Sequence, residues 1–142
     1  MQSKPNAEFY NSFGKEYLPG LIGININQVS ENAVTAELTV KKSHLAPNGY
    51  LHAATVIALA DTACGYGCLA HLPAGAENFT TIELKSNFLG TAREGTLACV
   101  ASPVHQGSTT QIWDAVVTDR ARERKVALFR CTQLIIWPKR TG

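Results

Sequence analysis

The cleanest hydrophobic pattern in the chain lies in Asn32–Val40. Val34, Ala36, Leu38 and Val40 fall on one face, and Thr35, Glu37 and Thr39 fall on the other. A period of two is the signature of a half-buried strand. Gly23–Ser30 sets Ile24 and Ile26 against polar neighbours, so a turn at Ser30–Asn32 predicts a hairpin. Before it, Phe9, Tyr10, Phe13 and Tyr17 recur at helical spacing. They predict a helix over about residues 6–18, with Pro5 suited to its start and Pro19-Gly20 closing it. After the hairpin comes a loop, KKSHLAPNGY, and then an apolar stretch from Leu51 to Ala70. At about 20 residues it reads as one long helix, ended by Pro73-Ala-Gly75. Four β-branched or aromatic-rich runs follow: Thr80–Leu89, Thr96–Val104, Thr109–Thr118 and Val126–Trp137. Each is separated from the next by glycine or charged residues, which predicts four more strands.

The long helix is apolar on nearly every side, so one stripe of contacts cannot bury it. The surrounding strands are the elements available to cover it, and they must wrap around it. The pattern therefore predicts an α+β hotdog fold, a curved antiparallel sheet wrapped around a long central helix. It forms a single domain over residues 1–142, with a core from about 21 to 138.

Size and composition agree with one core: 142 residues, 45% hydrophobic and 17% charged. A net charge of +2 gives no reason to expect a nucleic-acid partner. The N-terminal segment, MQSKPNAEFYNSF, lacks a basic-then-apolar leader, and a cytoplasmic location is expected. Leu51–Ala70 is long enough to span a bilayer. Its central Asp, initial His and two glycines instead favour a helix buried in protein, with no membrane partner. Cys64, Cys68, Cys99 and Cys131 sit in apolar segments without zinc-ribbon spacing. Cys64, Cys68 and His71 share a helix face, but small buried thiols are common core residues, and neither metal nor cofactor is expected. The basic run Arg120–Lys125 reads as a solvated turn before a phosphate contact.

One charge stands out. Between Lys42 and Glu77, histidines aside, Asp61 is the only acidic or basic side chain that carries a formal charge at neutral pH. An unpaired carboxylate in an apolar helix costs several kcal/mol, and desolvation raises its pKa toward general-base values. The bland reading is an Asp satisfied by Thr62 or at a subunit interface. The second feature is the helix start, Asn48-Gly-Tyr-Leu-His52-Ala-Ala54. First-turn N–H groups lack intrahelical acceptors, so the N–H of Ala53 can polarise a carbonyl, with Asn48 and His52 orienting the reacting groups. Ordinary capping is the competing role for Asn48, and a hydrogen-bonded wall position for His52. Nine residues separate His52 from Asp61, about 13 Å of helix rise. If both are catalytic, they serve one carbonyl only across a two-fold axis, which predicts a site shared in a homodimer.

The segment from Asn48 to Ala63 resembles the signature of hotdog thioesterases of the phenylacetate-pathway (PaaI-like) type. In that family an Asn, a His-Gly-Gly turn and an Asp in an Ala-Asp-Thr/Ser setting recur in this order. Thr81–Gly95 resembles the family's following strand and loop, and Val117-Thr-Asp119 the end of its fifth strand. The likeness extends from about Gly23 to Trp137. It implies a cytoplasmic acyl-CoA thioesterase, commonly a dimer of dimers, needing no cofactor. By resemblance Asp61 is base or nucleophile, Ala53 N–H polarises the carbonyl, and Asn48 and His52 position the reacting groups. Thr80 or Thr81 supplies a hydroxyl that orients water. Substrate contacts are expected from Gly49, Tyr50, Ala54 and Arg93. Arg122, Arg124 and Lys125 are further cations available to CoA phosphates, and Phe9 and Phe13 are candidates for the acyl pocket. The sequence departs from the family at His52-Ala-Ala54, where glycines are usual and a methyl could crowd the thioester. A hotdog hydratase or dehydratase and a non-catalytic acyl-CoA binding module are the alternatives.

Overall fold

The computed structural model describes residues 4–141. Two short helices, α1 (Ala7–Gly14) and α2 (Leu18–Ile22), precede the hairpin of β1 (Ile24–Val29) and β2 (Val34–Thr39). A 3-10 turn at Lys42–His44 leads to α3 (Ala53–Ala70). Then come β3 (Asn78–Phe88), β4 (Thr96–Gln106), β5 (Thr110–Asp119) and β6 (Arg124–Ile136). The six strands form one antiparallel sheet in the order β1-β2-β4-β5-β6-β3.

Helix α3 touches every one of these strands. A flat six-stranded sheet is about 24 Å wide, whereas a helix with side chains is about 10–12 Å across. One helix therefore reaches all six strands only if the sheet curls around it. This is the hotdog architecture expected from the pattern. Buried side chains of α3 (Val56, Leu59, Ala60, Ala63, Cys64, Cys68) meet the inward rows of β2, β4, β5 and β6, including Leu38, Leu97, Trp113 and Phe129. Gly67 permits the closest approach: a Cβ there would lie 2.5 Å from the Trp113 ring. By length and composition α3 could cross a membrane; here it lies inside the sheet.

Several boundaries differ from expectation; β4 runs on to Gln106, and β6 starts at Arg124, so Arg124 and Lys125 of the expected basic turn lie in a strand. The first helix does not run to residue 18. It stops at Gly14, and Pro19 opens α2 instead of closing α1. The reason is that proline's missing N–H costs nothing in a first turn. The long helix starts at Ala53, two residues later than the apolar run suggests, because His52 adopts an extended backbone and caps it. Finally, β3 begins at Asn78 and carries a bulge between Thr81 and Glu83. Before the bulge, Phe79 and Thr81 pair with the inward residues Ile135 and Gln133. After it, Leu84 pairs with buried Cys131, which places Glu83 and Lys85 on the outward face.

Candidate active site

Asp61 lies mid-helix on the side of α3 that faces β3. It is half-buried, and its Oδ1 is buried without a hydrogen-bond partner. Burial raises its carboxyl above the ordinary value, while the nearby Thr81 hydroxyl pulls the other way. Thr81 itself sits 2.6 Å from Oε1 of Gln133, a fully buried residue of β6. Thr80 is exposed and pairs with Leu134 on the opposite face, so alternation along the strand takes it away from Asp61. Of the two candidate hydroxyls, the structure brings only Thr81 to the carboxylate. One turn beyond Asp61, Gly65 lets the Phe79 ring lie against the helix, 3.1 Å from where a Cβ would stand.

At the helix start, His52 Nδ1 accepts from Ala54 N at 2.9 Å. A ring nitrogen that accepts carries no proton, so the hydrogen of the neutral ring is on Nε2 and points outward as a donor. Thr55 N donates to the His52 carbonyl. Ala53 N–H, at the first helical position, has no acceptor among the described residues. The amide nominated to polarise a carbonyl is the one the caps leave open. Ala53 and Ala54 are exposed and neither has a positive φ, so their methyls create no backbone strain.

Asn48 does not cap α3. Its Oδ1 accepts from Tyr50 N at 3.2 Å in a tight turn where Gly49 has φ +87°, a left-handed conformation natural to glycine. The capping role falls to His52 because it, and not Asn48, immediately precedes the first helical residue. Tyr50 is exposed, and the Arg93 guanidinium lies 5.1 Å from its ring centroid. Two residues that sequence reasoning passed over hold this segment in place. Buried His44 accepts from Lys41 N at 2.9 Å and bonds the Ile22 carbonyl at 2.7 Å, while its own carbonyl accepts from Thr55 Oγ1 and His52 N. Thr91 Oγ1 accepts from Leu51 N at 3.0 Å, tying the β3–β4 loop to the helix start. A lone loop histidine and a loop threonine give no periodic signal by which sequence could find them.

That same loop borders an open cleft of about 700 Å³ lined by Arg93, Arg122, Arg124 and Lys125. Arg122 is engaged with Asp119 at 2.9 Å, and Arg120 outside the cleft pairs with Glu37. Among the described residues Arg93, Arg124 and Lys125 make no ion pair. Phe9 and Phe13 stack on each other at 5.8 Å and stay exposed, while Tyr10 anchors α1 in the core against Tyr66. Cys64 and Cys68 lie in the core, and His71 Nδ1 sits 2.7 Å from the Gly67 carbonyl at the end of α3. No group of three metal-ligating side chains is gathered among the described residues.

Asp61 and Ala53 belong to one helix with their functional ends about 12 Å apart along its axis. The carboxylate and the open amide are therefore too far apart along the helix to meet at one carbonyl within a single subunit.

Comparison with known proteins bears on the family and the fold. Residues 48–125, from the Asn48 turn to the basic turn, match the model of the thioesterase superfamily. A Bacillus subtilis (strain 168) protein named as an esterase, ComA2, is 31% identical over 122 residues, covering 86% of this chain and 96% of its own. The 1,4-dihydroxy-2-naphthoyl-CoA hydrolase of Listeria monocytogenes is 30% identical over 111 residues, covering 78% and 89%. Among solved structures, a mutant thioesterase of Pseudomonas aeruginosa superimposes with a TM-score of 0.88 at 24% identity, over 95% and 96% of the two chains. The chain belongs to the thioesterase superfamily and is a thioester-hydrolysing enzyme of the hotdog fold.

Proposed function

We propose that the protein hydrolyses acyl-CoA thioesters at a site shared by two subunits. The observation that carries this reading is Asp61 Oδ1, a buried acceptor without a partner on an otherwise apolar helix. Asp61 of one subunit works opposite the Asn48–Ala54 segment of the other. The thioester oxygen accepts from Ala53 N–H, assisted by His52 Nε2–H and the Asn48 amide. Water, deprotonated by Asp61, adds to the carbonyl carbon. The tetrahedral intermediate then breaks its C–S bond and expels CoA as a thiolate. Direct attack by the carboxylate, through a mixed anhydride, is the other route. Incorporation of oxygen-18 into Asp61 during a single turnover separates the two.

Sharing is supported by the exposed side of the fold. Strand β3 is a sheet edge paired only with β6. Leu84 and Phe88 face the helix side of the sheet yet remain 40% and 46% exposed. A second copy aligned along β3 would cover them and pair the open edge. An apolar stripe on the outer face, Val100–Val116–Leu128 across β4, β5 and β6, supports a further pairing of dimers.

The nucleotide of CoA fits the basic cleft, with Arg93, Arg124 and Lys125 on its phosphates and Tyr50 beside Arg93. One solved relative, a Streptococcus pneumoniae protein with a TM-score of 0.70 at 22% identity over 83% and 89% of the two chains, holds coenzyme A. Four unpaired cysteines support a reducing, cytoplasmic setting.

The test measures thiol release from short, medium and aromatic acyl-CoAs. Wild type should exceed Asp61→Ala by about 10²-fold or more for its preferred substrate. No difference between them would overturn the assignment. Sharing is tested by mixing two inactive variants, Asp61→Asn and one with the Asn48–Ala54 turn disrupted. Recovery of up to a quarter of wild-type activity is expected from random exchange, and none if each subunit works alone.

A further inference from the structure

Gln133 is the most deeply buried polar side chain on this side of the sheet, and the reading of Asp61 above gives it no role. It lies on β6 directly across from Thr81 of β3. Its Oε1 is 2.6 Å from Thr81 Oγ1, and its Nε2 is 3.4 Å from Cys131 Sγ two residues earlier on its own strand. A separation of 2.6 Å suits O–H···O and is short for N–H···O. The thiol contact fits the same orientation, with nitrogen toward sulfur. The amide therefore accepts from Thr81.

A hydroxyl has one proton. With that proton on Gln133, Thr81 meets Asp61 with lone pairs alone and cannot also donate to the carboxylate. Those roles are exclusive: a Thr81 hydroxyl that lowers the Asp61 carboxyl would have to donate to it, whereas the 2.6 Å contact with Gln133 and the unpartnered Oδ1 of Asp61 put the proton on Gln133, and the geometry decides. The Asp61 carboxylate and the Thr81 hydroxyl oxygen, near enough for Thr81 to bear on the carboxyl, are then two acceptors with no donor between them. A molecule that completes such a pair must bring two protons on one atom. Water does this, and when both its protons are held its lone pairs point away from the protein.

We propose that Gln133 is a positioning residue: by holding the Thr81 proton it makes Thr81 an acceptor, so that Asp61 and Thr81 grip the hydrolytic water by its two hydrogens and present its lone pair to the thioester. The proposal rests on Asp61 being the base. In the step itself one water O–H bond breaks as the C–O bond forms. That proton passes to Asp61, and the second stays on the oxygen, hydrogen-bonded to Thr81. Burial of Gln133 keeps competing water from reversing the hydroxyl. The other titratable groups near Asp61 are thiols, Cys64 on α3 with Cys131 on β6 and Cys99 on β4 around it. The hydrogen bond with Cys131 and burial push Cys64 up, and burial holds Cys99 at about 12, so neither titrates with the carboxylate.

The experiment compares Gln133→Met, Thr81→Val and the double variant, using the pH dependence of kcat/KM for thiol release. In Gln133→Met the Thr81 proton is freed and turns to Asp61. The expected result is a kcat reduced roughly tenfold or more with KM little changed, and an acid limb moved to lower pH, because a new donor stabilises the carboxylate. Thr81→Val should lose rate without that downward shift, and the double variant should resemble Thr81→Val in both respects. Thr81→Ser, which keeps the hydroxyl, should retain most of the rate. An unmoved acid limb in Gln133→Met, or losses that simply add in the double variant, would overturn the relay. Should Gln133→Met not fold, the Thr81→Val and Thr81→Ser pair decides: equal rates in the two would reject it. Asp61→Asn, run alongside, separates this from failure of the underlying reading, since an active Asp61→Asn would remove the base whatever Gln133 does.

Discussion

Replacing Asp61 by Asn should make the protein more stable and inactive at once. The carboxylate carries a buried oxygen with no partner, and burial raises its pKa. A buried charged acceptor left unsatisfied costs about 1–3 kcal/mol or more. Asp61 is only half-buried, so solvent screening puts the figure at the low end, about 1 kcal/mol. Asparagine has the same shape, removes the charge, and adds an N–H donor that Thr81 Oγ1 can accept. For a chain of this size about 1 kcal/mol is roughly 3–5 °C in Tm. The sign with pH follows from the raised pKa. The folded state holds its proton to higher pH than the unfolded chain, so the penalty is absent below the unfolded value and grows as pH rises through the folded one. Thermal melts of wild type and Asp61→Asn at pH 8 should therefore differ by those few degrees in favour of the variant. The gap should close as pH falls toward 4. A variant that melts lower at pH 8, or a gap that ignores pH, would refute the claim that Asp61 is a destabilising charge kept for chemistry.

Other substitutions probe the parts around it. Alanine at both Arg124 and Lys125 should raise KM for acyl-CoA roughly tenfold at low salt, the combined worth of two exposed phosphate contacts. KM for the matching acyl-pantetheine should hold, and added salt should shrink the difference. His44→Ala strands the Lys41 N–H and the Ile22 carbonyl and should cost about 2–4 kcal/mol in urea unfolding. Gly67→Ala drives a methyl into the Trp113 ring and should lower stability by about 1–3 kcal/mol or block folding. Leu84→Glu charges the uncovered side of β3 and should give monomers in sedimentation together with loss of turnover.

Much of this was legible because it depends on period. Val34, Ala36 and Leu38 alternate, and the strand they predict is there with that face buried. The isolation of Asp61 is visible in sequence because charge in an apolar run is a composition fact. What escaped depends on partners far along the chain. Gln133 sits in an apolar strand, and only its register with Thr81, 52 residues earlier, gives it meaning. Thr80 and Thr81 are equivalent as letters, and strand parity alone separates them. The helix start was displaced by two residues because Leu51 and His52 continue the apolar run, while the backbone of His52 is extended.

The bulge in β3 also bears on how the gene could change. With Ile82 as the extra residue, alternation resumes one position out of phase, which sends Glu83 and Lys85 outward and Leu84 inward. Flattening the bulge, with Ile82 taken into the ladder opposite Thr132, would turn Glu83 toward the helix, as the nearest inward neighbour of Thr81. A second carboxylate there would compete for the same proton and the same water. The bulge is thus what keeps that carboxylate outside: loss of Ile82 would leave Glu83 opposite Thr132 and Leu84 opposite Cys131, whereas a change that drew Ile82 into the ladder would silence the enzyme while leaving every catalytic letter in place.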